Sequence, residues 1–148
     1  MILLSLSIIF TLYTLRQFWL SYKPISYSNK TIWITGASSG IGEYLSHEFH
    51  RLGGFIILSG RDESRLKNLH SKLKNSVIFK FDLSDSSSVI KTSKEVFSKY
   101  KVDILINNAG ISQRSFFNDS LETLKNERLL MEINYFSVVA LTKAFVQS

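Results

Sequence analysis

Seven residues, Gly36-Ala37-Ser38-Ser39-Gly40-Ile41-Gly42, stand between a short apolar run, Thr31-Ile32-Trp33-Ile34-Thr35, and a stretch of helical periodicity from Ile41 to Leu52. A glycine-rich turn from strand into helix leaves free backbone N–H groups at the positive end of a helix dipole, where a phosphate is well received. Its shape requires glycine. A side chain at Gly36 would obstruct the tight turn, one at Gly40 would hold a pyrophosphate off the backbone, and one at Gly42 would separate helix from strand. The spacing is Gly-x-x-x-Gly-x-Gly, and the absence of a following Gly-Lys-Ser/Thr excludes a Walker loop. The alternative is a glycine-rich turn with no ligand.

A second apolar run, Phe55-Ile56-Ile57-Leu58-Ser59, ends in Gly60-Arg61. A dinucleotide site for an unphosphorylated ribose places an acid there to accept from the 2′-hydroxyl; a 2′-phosphate is repelled by that acid and attracted by arginine. With Gly60 at the acid's position and Arg61 next to it, NADP(H) is expected over NAD(H). The plainer reading of Arg61 is a solvated residue pairing with Asp62 or Glu63.

These groups need a frame. Helical patterns over Asp62 to Lys74 and Ser84 to Tyr100, the latter with Ser84 or Asp85 as N-cap, alternate with strands at Ser76 to Phe81 and Val102 to Ile106, and a long helical pattern fills Leu121 to Gln147. Strands apolar on both faces and separated by helices predict a parallel sheet covered on both sides. The expected class is α/β, a Rossmann-like doubly wound sheet that is incomplete, with its first four strands only. Composition agrees with one core and excludes several other classes. The 148 residues hold no cysteine, so no disulfide and no thiolate zinc site, and His47, His50 and His70 lack the spacing of metal ligands. The formal charge of +6 divides into three bases without an acid in residues 1–30 and a modest, scattered excess beyond, which predicts no nucleic-acid partner.

From Ile2 to Leu15 there is no charge, and continuing through Phe18, Trp19 and Leu20 gives about 28 Å of helix if Arg16 snorkels, close to a ~30 Å hydrocarbon core. The expected division is a membrane anchor over 1–22, a linker over 23–30 and a dinucleotide-binding unit over 31–148. A cleaved secretory signal fits less well, since no basic segment precedes the run and no Ala-x-Ala-like site follows; a buried helix is the third reading. Trp19, Tyr22 and Tyr27 suit an interfacial belt, and Arg16, Lys23 and Lys30 on the carboxyl side would leave the globular part in the cytoplasm.

Thr35-Gly36-Ala37-Ser38-Ser39-Gly40-Ile41-Gly42, together with Asn107-Asn108-Ala109-Gly110 after the fourth strand, Asp82-Leu83 after the third and Asn134 in the last helix, resembles the short-chain dehydrogenase/reductase family over all of residues 31–148. Asn107 to Phe117 and the text around Asn134 look most like members that begin with a hydrophobic anchor, and these imply a membrane of the endoplasmic reticulum type. The resemblance implies that the loop glycines with Ser38, Ser39 and Ile41 hold the pyrophosphate, that Asp82, with Leu83 beside it, receives the adenine, and that Asn108, Ala109 and Gly110 lie along the adenosine ribose and the middle of the cofactor. Asn107 would brace the sheet. Asn134 matches the asparagine of a water-mediated proton relay to a catalytic lysine. The family's Tyr-x-x-x-Lys pair is absent: four positions after each tyrosine stands another residue, never lysine. The implied protein is therefore an amino-terminal fragment of an oxidoreductase that interconverts a hydrophobic carbonyl and its alcohol, dimeric in its full form. The rival is a nucleotide-binding or interaction protein without turnover. A Rossmann methyltransferase is disfavoured, lacking the acid on the second strand.

Overall fold

Strand residues apolar on both sides have to be covered on both sides, and the chain does this with helices on opposite faces of one sheet. The structure, a computed structural model, describes residues 10–17, 25–113 and 124–148. Strands β1 (Thr31–Thr35), β2 (Phe55–Gly60), β3 (Ser76–Lys80) and β4 (Ile104–Ile106) are separated by helices α1 (Gly40–Arg51), α2 (Glu63–Lys72) and α3 (Ser86–Lys99). All pairings are parallel and the order is β3-β2-β1-β4. Alternation along each strand then sorts the core. Ile32, Ile34, Ile56 and Leu58 bury one face against Leu66, Leu69 and Leu73 of α2 and its end, with Leu45 and Phe49 of α1 beside them. Trp33, Ile57 and Phe79 bury the other against Val89 and Val96 of α3 and Ile133 and Leu141 of the last helix. The indole N–H of Trp33, fully buried, donates to Ser59 Oγ at 2.8 Å, so this large ring is inserted without an orphaned donor.

Element ends follow their caps. Asp62 accepts from Arg65 N–H at the start of α2, and Asp85, not Ser84, accepts from Ser87 N–H at the start of α3. Strand β4 is shorter than the predicted Val102 to Ile106 because Asp103 turns to the first strand: its N–H donates to the Thr31 carbonyl and its carboxylate accepts from Thr31 N–H at 2.9 Å and Lys30 Nζ at 3.0 Å. The Thr31 N–H, then the Lys30 ammonium, hold the Asp103 carboxyl below its ordinary range.

The last helix departs from a simple α-helix. Helix α4 (Lys125–Met131) passes into a π-helical turn, Glu132–Phe136, and then α5 (Ser137–Val146); the predicted start over residues 121–123 lies outside the described residues. Of the predicted anchor, residues 10–17 are helical, with Phe10, Leu12, Tyr13 and Leu15 exposed, and the rest of 1–22 lies outside the described residues. The connecting stretch is tied down: Tyr27 N–H donates to the Leu52 carbonyl, the Tyr27 ring meets Phe49 edge-on at 4.8 Å, and Lys30 N–H returns to the Tyr27 carbonyl.

Candidate cofactor-binding site

Parallel strands all end on one edge, and from β1 the chain winds outward through β2 and β3 before β4 takes the opposite side of β1. At that reversal the loops after β1 and β4 part, leaving a crevice. A cleft of about 450 Å³ opens there. Its walls are Gly36, Ser38, Ser39 and Ile41 after β1; Gly60, Arg61 and Arg65 after β2; Phe81 and Leu83 after β3; and Asn108, Ala109, Gly110 and Ile111 after β4.

One hydroxyl joins the two principal loops. Thr35 Oγ1, on a residue 2% exposed, donates to the Ile106 carbonyl at 3.3 Å and accepts from the N–H groups of Asn108 and Ala109, both at 3.1 Å. That uses the full capacity of a hydroxyl, one donor and two lone pairs. The Asn108 side chain completes the joint, its Nδ2 donating to the carbonyls of Thr35 at 3.0 Å and Gly36 at 3.3 Å. The floor of the cleft is thus a hydrogen-bonded unit of Thr35, Gly36 and Asn108.

Gly36 and Gly42 stand where a Cβ has no room, Gly42 against a different partner from the one expected. Gly36 has φ +64°, and a Cβ there would come within 2.8 Å of the Ala109 Cα, so backbone angle and space both require glycine. At Gly42 a Cβ would strike the Gly36 carbonyl and the Asn108 amide; it would part α1 from the two loops rather than from the strand. Over Gly40 the space is open, with no atom within 4 Å of a Cβ position, and no side chain caps the first turn of α1. A helix end with uncapped N–H donors beside open space has the geometry of an anion cradle, and a diphosphate fits it.

At the other end of the cleft, Asp62 pairs with Arg65 at 3.2 Å, and Glu63 pairs with Lys67 at 2.7 Å and Lys80 at 3.0 Å. Hydrogen bonds from Lys67 and Lys80 push the Glu63 carboxyl down to about 2. Both acids that could have neutralised Arg61 are engaged, and among the described residues Arg61 makes no ion pair.

Three further candidates stand differently. Asp82 is outside the wall, its Oδ1 accepting from Ser84 N–H at 2.9 Å in a local turn, while Leu83 faces the cleft. Asn107 reaches α5 rather than the sheet, its Nδ2 donating to Thr142 Oγ1 at 3.1 Å. Asn134 lies behind the wall: its Oδ1 accepts from Ile111 N–H at 2.9 Å and its Nδ2 donates to the Ile111 carbonyl at 2.8 Å. Each end of the amide makes one bond to Ile111 and keeps one N–H and one lone pair for a further partner. Arg65 and Thr35 were missed by motif reading. Arg65 could have been found as the residue one helical turn after Arg61; Thr35 stands at the head of the quoted motif, but its role depends on a partner loop 73 residues away, which spacing does not show.

The geometry has counterparts in known proteins. The family model described as short chain dehydrogenase matches residues 30–148. Dehydrogenase/reductase SDR family member 7B of Xenopus laevis is 43% identical over 126 residues, covering 78% of this chain and 38% of that protein. Dehydrogenase/reductase SDR family member 7 of Homo sapiens is 38% identical over 125 residues, covering 78% of this chain and 36% of that protein. Among solved structures, a short-chain dehydrogenase from Sphingobium yanoikuyae in complex with NADPH superposes with TM-score 0.74 at 29% identity, over 80% of this chain and 48% of that one. A metagenomic short-chain oxidoreductase in complex with NADP superposes with TM-score 0.73 at 27% identity, over 83% and 57%. The chain spans about two fifths of the length of the two named relatives. From the match over residues 30–148 and the Rossmann-like sheet, this chain belongs to the short-chain dehydrogenase family of oxidoreductases.

Proposed function

We propose that this chain is the NADP(H)-binding part of a membrane-anchored oxidoreductase that interconverts a hydrophobic carbonyl and its alcohol. The observation that carries the choice of nucleotide is Arg61, without an ion pair among the described residues and at the rim of the cleft beside Gly60, where an acid would have selected the unphosphorylated ribose. The bound dinucleotide supplies or accepts the hydride. The protein's part is to hold it: uncapped amides at the start of α1, with Ser38, Ser39 and Ile41, take the diphosphate, Leu83 borders the adenine on a turn that Asp82 holds from outside the wall, and Asn108, Ala109 and Gly110 lie along the ribose and the middle. Asn134 fixes the end of the β4 loop through Ile111 and so positions the relay it joins. The serine, tyrosine and lysine of the family's proton transfer belong, in this reading, to the part of the relatives' length that this chain does not span.

The anchor reading rests on the uncharged run from Ile2 to Leu15 and on the exposed apolar side chains of residues 10–17. Bases on its carboxyl side favour a cytoplasmic domain, at a membrane of the endoplasmic reticulum type, where a hydrophobic substrate partitions and a homodimer can form. Alkaline carbonate extraction tests this, since release of the intact chain into the soluble fraction contradicts it. For the nucleotide, Arg61→Ala in the full-length protein weakens NADPH by roughly 10–100-fold and leaves NADH nearly unchanged, because a hydrogen bond to a charged group is worth ~1.5–3 kcal/mol. Equal losses for both nucleotides would refute the assignment. NADPH binding with no carbonyl reduction by the full-length protein would favour a binding protein without turnover.

A further inference from the structure

Bases that are scattered in sequence meet on one edge of the fold. The strands begin in register: Phe55 N–H donates to the Lys30 carbonyl, Ile56 N–H to the Asn75 carbonyl and Asp103 N–H to the Thr31 carbonyl. The residues just before the strands and at the ends of the preceding helices therefore form a single rim, opposite the cofactor cleft. Lys30, Arg51, Lys72, Lys74 and Lys101 lie on it, all exposed. Its acids are already matched, Glu48 to Arg51 at 2.7 Å and Asp103 to Lys30 at 3.0 Å. Lys72, Lys74 and Lys101 make no ion pair among the described residues, so the rim is cationic. The same rim receives the chain from the apolar amino-terminal run, through the Tyr27 bonds to Leu52 and Lys30. Four residues stand between Leu20 and Ile25, so the two are at most about 18 Å apart when the chain is extended.

From this we propose that the amino-terminal rim of the sheet lies on the membrane that holds residues 2–20, its lysines binding anionic phospholipid headgroups, so that the cofactor cleft opens away from the bilayer. The inference rests on the anchor reading above and adds an orientation to it. A leash this short lets the rim come within the ~10 Å Debye length of 0.1 M salt, where anionic headgroups attract clustered bases. The five residues of β1, at ~3.3 Å each, then lift the glycine loop about 16 Å further from the lipid.

The test is energy transfer from a dye to labelled headgroups, with the full-length protein in phosphatidylcholine vesicles with and without phosphatidylserine. The dye is placed at Lys74→Cys on the rim or at Ser64→Cys, at the start of α2 on the opposite edge. Expected are higher transfer at position 74 than at 64, a further rise at 74 with phosphatidylserine, and loss of that rise in Lys72→Glu/Lys101→Glu or in high salt. Equal transfer at both positions, or higher transfer at 64, overturns the orientation while leaving the anchor intact, provided the protein stays with the vesicles in carbonate. Release in carbonate overturns anchor and orientation together. Salt-sensitive retention on immobilised RNA without any effect of phosphatidylserine would assign the rim to a nucleic acid and also overturn the proposal.

Discussion

Thr35 shows how much of the cleft hangs on one atom. Replacing it with valine keeps volume and β-branching but leaves the amides of Asn108 and Ala109 without their acceptor in a buried place. Each orphaned donor costs about 1–3 kcal/mol, so Thr35→Val is expected to destabilise by about 2–4 kcal/mol in urea unfolding, and Thr35→Ser by less than about 1. A valine variant as stable as the parent would show that water replaces the hydroxyl. Residue types chosen for backbone shape were legible in the sequence, since Gly36 and Gly42 occupy places where a Cβ has no room. Side-chain partnerships across the fold were less so. The pairing of Asp62 with Arg65, which leaves Arg61 without that partner, depends on which of two neighbouring arginines the helix turns toward the acid, and a one-dimensional pattern does not encode that.

Elements were read nearly to their ends where an apolar period was bounded by glycine, as in β1, β2 and α1, or by a capping acid, as in α2. The exceptions have tertiary causes. Strand β4 loses Val102 and Asp103 because the Asp103 carboxylate takes the first N–H of β1, and the last helix widens to a π turn where Asn134 grips Ile111. Asn134→Leu is therefore expected to free Ile111 N–H and carbonyl together, lowering stability by about 0.5–1.5 kcal/mol and weakening both nucleotides alike, in contrast to Arg61→Ala. Unchanged binding of both would remove the positioning role. The carboxylates also set the acid limit of these elements. Glu63, joining α2 to Lys80 of β3, has its folded value depressed from 4.5 to about 2 by Lys67 and Lys80, and Asp103, Asp85 and Glu48 are lowered too. A depressed carboxylate stabilises the fold fully above its unfolded value and progressively less as pH falls toward the folded one. The contribution of these carboxylates to thermal stability thus declines as pH falls between about 4.5 and 2, and Glu63→Gln makes that decline shallower. A variant with the parental slope would remove Glu63 from the account.

At the scale of the whole molecule, the proposed reading gives the 148 residues a cofactor cleft but no Tyr-x-x-x-Lys pair to complete the chemistry. Hydride delivery to a carbonyl leaves an alkoxide that needs a positioned acid, worth typically ~10²–10⁴-fold, and Asn134 has no proton to give near neutral pH. The chain by itself is expected to show no NADPH oxidation with any carbonyl, and a length-completed protein to show it; turnover by the 148 residues alone would mean an unrecognised acid among them. The order β3-β2-β1-β4 has a further consequence for synthesis on the ribosome. Strands β1 to β3 lie next to one another in sequence and in space, whereas β4 returns to β1 across 72 residues, as the Thr31 to Asp103 bond records. A nascent chain therefore presents its phosphate loop on a three-stranded sheet well before Asn108 arrives to brace it. Until that return is made, Gly36 and Thr35 have no opposite wall, and the cleft proposed for nucleotide is open on that side. Nucleotide can then act as a folding ligand only in the closing stage, selecting chains in which β4 has found β1 over those in which it has not.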